Sequence, residues 1–206
     1  MSRSILDYWK LARRAALYLV LRPVIEIFRR LPPRVSTGLG GLVGSLAGRL
    51  FPHEARRGRE NIARAFPEMP PVDRDRILQA HFRQLGRSVA EYLAYTGREP
   101  SAASSRVRFS GLEEVRQAVA RGKGVVVLTG HFGNWEMAAA AFAREVPATA
   151  VVARELYDIN LSRFVDRMRS RFGITTFDNR DSIGIYRHLR KGGVIFTLVD
   201  QESRKV

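Results

Sequence analysis

The sequence predicts an α/β protein in which a mostly parallel sheet, flanked by helices, follows an all-helical N-terminal region. Two observations carry this. Beyond about residue 106, short runs rich in Val and Ile alternate with helical segments of roughly 10 to 15 residues, the rhythm of a parallel sheet with crossover helices. Before that point every periodic segment repeats at helical spacing and none reads as a strand. The chain of 206 residues, 45% hydrophobic, is long enough for a sizeable core.

Residues 5–31, "ILDYWKLARRAALYLVLRPVIEIFRRL", read as one helix. Its longest apolar run, Ala15 to Leu21, is far short of the roughly 20 residues needed to span a bilayer. Arg22 and Glu26 lie four apart and can pair along one face, and Pro23 is placed to kink the helix. Arg13 and Arg14 precede the run, Arg29 and Arg30 follow it, and Trp9 and Tyr18 supply interfacial aromatics. The pattern predicts a helix lying in an anionic membrane surface. In "VSTGLGGLVGSLAGRLF", Gly40, Gly44 and Gly48 fall four apart and let two helices approach closely, whether in lipid or in a helical hairpin packed on the first helix. Residues 1–52 thus form a membrane-anchoring helical region, and 53–206 an α/β domain that helices within 54–95 lead into.

The segment 54–66 reads as a helix ending at Pro67, and "PEMPP" as a break. A longer helix from about Asp73 to Tyr95 carries the stripe Leu78, Phe82, Leu85, Val89 and Tyr92 or Leu93. Residues 96–105 read as a polar loop. "RVRFS", "VVVLT", "ATAVVA", "ITTFD" and "VIFTLV" then read as strands, separated by four helices. The apolar strands 125–128 and 194–199 suit a sheet covered on both faces.

Ligands of open α/β sheets bind beyond the carboxyl ends of the strands. At those ends stand His131, Asn134 and Glu136; Arg154 and Glu155; Asn179, Arg180 and Asp181; and Asp200 and Gln201. His131 sits between Gly130 and Gly133, where the backbone can approach a ligand. Asn134 is placed to cap the next helix, and Glu136 falls in its first turn, where the helix dipole favours a carboxylate. A tight loop would fold His131 back on Glu136. A carboxylate on one imidazole nitrogen fixes the tautomer and leaves the other as a base. No serine or cysteine nucleophile lies beside the pair, so direct attack by a substrate hydroxyl suits it better than a covalent intermediate. The other histidines have no metal-ligand spacing with His131, so no metal is expected, and no cofactor motif appears.

Basic residues number 35 against 20 acidic ones, a formal charge of +15, and only Lys10, Lys123, Lys191 and Lys205 are lysine. This field favours anionic partners such as acidic lipid headgroups or an acidic carrier protein. Nucleic acid is not expected, because aromatics are 9% and are not interleaved with basic clusters. With no cysteine, disulfides, Cys-ligated zinc and thiol catalysis are excluded.

"GHFGNWE" resembles the H-x-x-x-x-D/E motif of membrane glycerolipid acyltransferases, and its surroundings resemble one branch, the lipid A biosynthesis (lauroyl and myristoyl) acyltransferases. "RRGRENIARAFPEM", "HFRQLGRSVAEYL", "GKGVVVLTGHFGNWEMA", "VVARELYDINLSRFVDRMRSRFG" and "LRKGGVIFTLVDQES" are similar to that branch's blocks in the same order. The resemblance implies a membrane-associated enzyme at the cytoplasmic face of a bacterial inner membrane. It would move a fatty acyl group from acyl carrier protein to a hydroxyl of an anionic glycolipid, a lipid A precursor. His131 would be the base and Glu136 its orienter. Arg154, Asn134, Arg180, Asp200 and Gln201 would contact substrate. The chain ends at Val206, where the family continues for roughly another third, so the expected domain is partial. The phosphatidylinositol mannoside acyltransferases, which would use acyl-CoA, share the His–Glu block. A non-catalytic basic membrane-binding module is the alternative from another class.

Overall fold

The computed structural model describes residues 19–155 and 158–201. The expected first helix is described only from residue 19, so Trp9, Tyr18, Arg13 and Arg14 lie outside the described residues. Its described part, α1 (19–30), runs through Pro23 and stops before α2 (Pro33–Leu50). α3 (Pro52–Ala65), α4 (Pro71–Thr96), α5 (Pro100–Ser104) and α6 (Leu112–Ala120) follow. Then come β1 (Val125–Thr129), α7 (Trp135–Glu145), β2 (Thr149–Ala153), α8 (Ile159–Ser170), β3 (Thr175–Asp178), α9 (Ser182–Arg190) and β4 (Val194–Leu198). Among the described residues, no helix is long and apolar enough to cross a membrane.

Two compact units result, residues 28–97 and a sheet unit that takes the described residues up to Ile27 together with those from Arg98 on. The expected boundary at 52/53 falls inside the first of these. Proline opens α2, α3, α4 and α5, where its missing N–H would be unpaired anyway and its fixed φ suits the first turn. Within this unit α2 packs on α4. Ser36, buried, donates to the Ala90 carbonyl at 2.8 Å. A Cβ on Gly40 would collide with Ala90 and Gly86, and one on Gly44 with the Phe82 carbonyl and Gly86. The glycine row therefore makes the close approach its spacing announced, with α4 as the partner and not the first helix of the hairpin alternative. Of the stripe expected on α4, Leu78, Tyr92 and Leu93 are buried, whereas Leu85 and Val89 face solvent.

In the sheet unit all pairings are parallel and the strand order is β1-β4-β2-β3. Val127 and Val151 both register with Phe196, so these three share a face, and α7 covers it through Phe142, whose ring lies 5.6 Å from that of Phe196. Ile195 and Ala150 share the other face, together with Val152 and its partner Phe177. There α9 packs, with His188 edge-on to Phe177 at 5.4 Å. The expected two-sided cover holds for β4, and β2 shares it. At β1, an edge strand among the described residues, Val126 and Leu128 remain exposed.

The expected strand at 106–110 does not form. The amides of Arg106 and Val107 donate back to Ala103 and Ser104, so the first two residues of the segment continue a turn and are not available to a ladder. That turn closes α5, a short helix inside the expected loop 96–105.

These contacts predict opposite outcomes for two chemically identical substitutions. Gly38 has nothing within 4 Å of an added Cβ, so Gly38→Ala raises stability by about 1 kcal/mol through helix propensity. Gly44→Ala drives a methyl into backbone and lowers stability by roughly 1–3 kcal/mol. Urea unfolding of the two variants measures both; equal shifts would remove the tight α2–α4 seam from the description.

Candidate active site

The loop between β1 and α7 begins with Gly130, and an added Cβ there would sit 3.0 Å from the Asp200 carboxylate. That close approach lets Asp200, just beyond β4, reach His131. The Asp200 Oδ2 accepts from the His131 backbone amide at 2.8 Å, and Oδ1 lies 2.8 Å from Nδ1. Both bonds hold the Asp200 carboxyl below the usual carboxylate range, the side-chain bond being the larger cause. An ionised carboxylate can only accept, so Nδ1 is the protonated nitrogen and neutral His131 keeps a free lone pair on Nε2. The Trp135 ring meets the imidazole edge-on at 5.1 Å. The histidine side chain is one-third exposed, which leaves it open to a reactant.

Gly133 completes the loop at φ +59°, a left-handed conformation that favours glycine. Asn134 then caps α7 as expected, its Oδ1 accepting from the Met137 amide at 3.2 Å. Glu136 lies in the first turn of α7 but does not orient His131. Arg169 of α8 grips it with two donors, Nη2 to Oε1 at 2.6 Å and Nε to Oε2 at 3.1 Å. This pair is mostly enclosed, with 13% and 22% of its side chains exposed. The carboxylate expected on His131 is thus supplied by Asp200, 69 positions away.

Beyond β2 and β3, against α8, opens a cavity of about 570 Å³. Arg154, Glu155, Arg163, Arg169, Asp178 and Arg180 contribute to its wall. Arg180 folds back on Asp178, with Nε 2.8 Å from Oδ1, and Asp181 caps α9 through the Gly184 amide at 2.9 Å. Through that side-chain bond first, and the Arg180 backbone amide second, Arg180 holds Asp178 down at about 2. The Thr176 hydroxyl, also at this wall, is buried with no hydrogen-bond partner among the described residues. Asn179 lies at the end of β3, its amide bonded to the Ala153 carbonyl, and Gln201 is exposed beside Asp200. The expected residues therefore fall into two groups, His131 with Asp200 and Arg154 with Arg180, and Glu136–Arg169 reaches from α7 to the wall of the second. Among the described residues, no three metal-ligating side chains cluster.

Arg169 was not anticipated. The signal was its spacing: four after Val165 and three before the buried Phe172, it belongs to the inward row of α8, where an arginine needs a carboxylate.

A histidine with one nitrogen tied to a carboxylate and the other free, at the carboxyl edge of a parallel sheet, defines a site that can take a proton from a bound hydroxyl. Residues 8–205 match the family described as bacterial lipid A biosynthesis acyltransferase, and the chain belongs to that family. It is similar to the lipid A biosynthesis lauroyltransferase of Escherichia coli K12, 26% identical over 187 residues. That alignment covers 87% of this chain and 58% of the relative. The palmitoleoyltransferase of the same organism is 26% identical with the same coverage, 87% and 58%. A lipid A biosynthesis acyltransferase of Haemophilus influenzae is 23% identical over 83% of this chain and 54% of its own length. The chain thus spans less than two thirds of each of these relatives.

Asp178 provides a titration test. Its depressed pKa means that the Asp178–Arg180 turn adds stability above the ordinary value of 3.8 and loses it as pH falls to about 2. In Arg180→Gln the side-chain bond goes but the backbone amide still donates, so the Asp178 carboxyl, followed by carbon NMR, should titrate higher yet still below 3.8. An unmoved titration would show that the turn is not formed in solution.

Proposed function

We propose that the chain is part of a membrane-associated O-acyltransferase that moves a fatty acyl group from acyl carrier protein to a hydroxyl of a lipid A precursor. The observation that carries this reading is the His131–Asp200 pair at the sheet edge of a chain belonging to this family. Asp200 fixes the imidazole, and Nε2 removes the acceptor hydroxyl proton as its oxygen attacks the acyl thioester carbonyl. A C–O bond forms, the C–S bond breaks, and the proton leaves with the carrier thiol. No covalent enzyme intermediate is required, and no metal or cofactor supplies a step. Positive charge on His131 during transfer is offset by ionised Asp200.

Glu136 acts as a positioning residue. Held by Arg169, it ties the first turn of α7, and with it the loop carrying His131, to α8. Arg154 lines the neighbouring cavity with no side-chain partner among the described residues, which suits it to an anionic substrate group or to the developing oxyanion. Asn134, Arg180 and Gln201 complete the substrate-facing edge. The charge of +15 supports both an acidic carrier and the anionic cytoplasmic face of a bacterial inner membrane.

The test is transfer of labelled acyl chains from acyl carrier protein to a lipid A precursor. His131→Ala and Asp200→Ala should each lower kcat by about 10²–10⁴-fold with KM little changed, the range expected of a lost general base or its orienter. An unchanged rate in His131→Ala removes the base. A rate lost only in Glu136→Gln and not in Asp200→Ala returns the orienting role to Glu136.

A further inference from the structure

Helix α2 has two opposed faces, and among the described residues only one is buried. Gly40, Gly41 and Gly44 are buried on the side that meets α4. Val35, Leu39, Leu42, Val43, Leu46 and Leu50 are all exposed, from 42% at Leu39 to 73% at Leu50. At about 100° per residue these six fall within an arc of roughly 100°, nearly opposite the glycines and extending along most of a helix about 27 Å long.

No charged residue interrupts that arc. Arg49 lies just outside it, and Arg34 further round on the same flank. On the same flank Arg83 and Arg87 of α4 run past Gly41, whose added Cβ would lie 3.1 Å from Arg87 Cγ and 3.5 Å from Arg83 Cγ. Leu85 and Val89, both exposed, occupy the other flank of α4 and widen the apolar side. A contiguous aliphatic face with a guanidinium row along one border matches the cross-section of an anionic lipid interface: acyl chains below, phosphates beside. α2 is not long and apolar enough to cross a membrane.

We propose that the outer face of α2 is a membrane-insertion surface that lies in an anionic leaflet while its glycine face stays packed on α4. The proposal rests on the lipid-acceptor reading for its setting, but its physical basis lies wholly within residues 28–97. It moves the contact with lipid from the first helix, where the apolar runs of the sequence point, to the second. Leucines of the arc enter the acyl boundary, and Arg34, Arg49, Arg83 and Arg87 remain at headgroup level.

Flotation of the purified chain with vesicles of phosphatidylglycerol and phosphatidylcholine tests it. Wild-type protein should float with anionic vesicles. The double variant Leu42→Ser/Leu46→Ser should bind about tenfold more weakly or worse, with its unfolding midpoint unchanged because neither side chain packs inside the fold. Arg49→Gln/Arg87→Gln should lose the preference for phosphatidylglycerol over phosphatidylcholine and keep residual binding. Binding that survives the serine substitutions at full strength overturns the proposal. So does a wild-type dimer that they dissociate while vesicle binding is unaltered, since the face would then join two copies of the chain. His131→Ala separates this from the reading above. Intact flotation with lost transfer supports both, whereas absent flotation in wild-type protein that still transfers acyl chains in detergent overturns only the insertion surface.

Discussion

The parallel pairing of β1 with β4 is the constraint on which the site depends. Its register sets Thr129 beside Leu198, and the ladder runs one step further through the Val199 amide to the Thr129 carbonyl at 3.1 Å. Two residues beyond each member of that pair stand His131 and Asp200, at the same level on adjacent strands. Strands about 4.8 Å apart bring such positions within hydrogen-bond reach only if nothing fills the gap. Gly130 leaves the gap open. A change of neighbour at β1 would leave His131 with its loop and no orienting carboxylate.

This explains why the site was only half readable from the chain. Every residue now at the sheet edge could be picked out as following a strand, and the Asn134 cap could be read from its type and position. Strand order could not, because four parallel strands joined by helices are compatible with several orders and local pattern does not select among them. Proximity in sequence therefore favoured Glu136, five positions from His131, over Asp200, 69 positions away. Glu136 proved to answer a different need, the charge of an inward arginine on α8.

The misread segments share a physical cause. Prolines that punctuate the first hundred residues look like breaks, yet at the first position of a helix they begin it, which is why α5 was hidden in an expected loop. "RVRFS" has strand-like alternation, but its first two amides are committed to the turn after α5. The glycines at four-residue spacing announced a close helix contact correctly; the partner was decided by Gly86, which offers α2 a second smooth surface to approach. Residues that pack by omission leave a periodic signal of contact but no signal of address.

The most direct measurement of the central claim is the tautomer of His131. A long-range proton–nitrogen correlation spectrum, recorded where the ring is neutral, should show a protonated Nδ1 and a bare Nε2, and Asp200→Ala should abolish that preference while Glu136→Gln leaves it. A neutral ring protonated on Nε2, or a preference lost in Glu136→Gln and kept in Asp200→Ala, would contradict the assignment of Asp200 as the residue that orients the base.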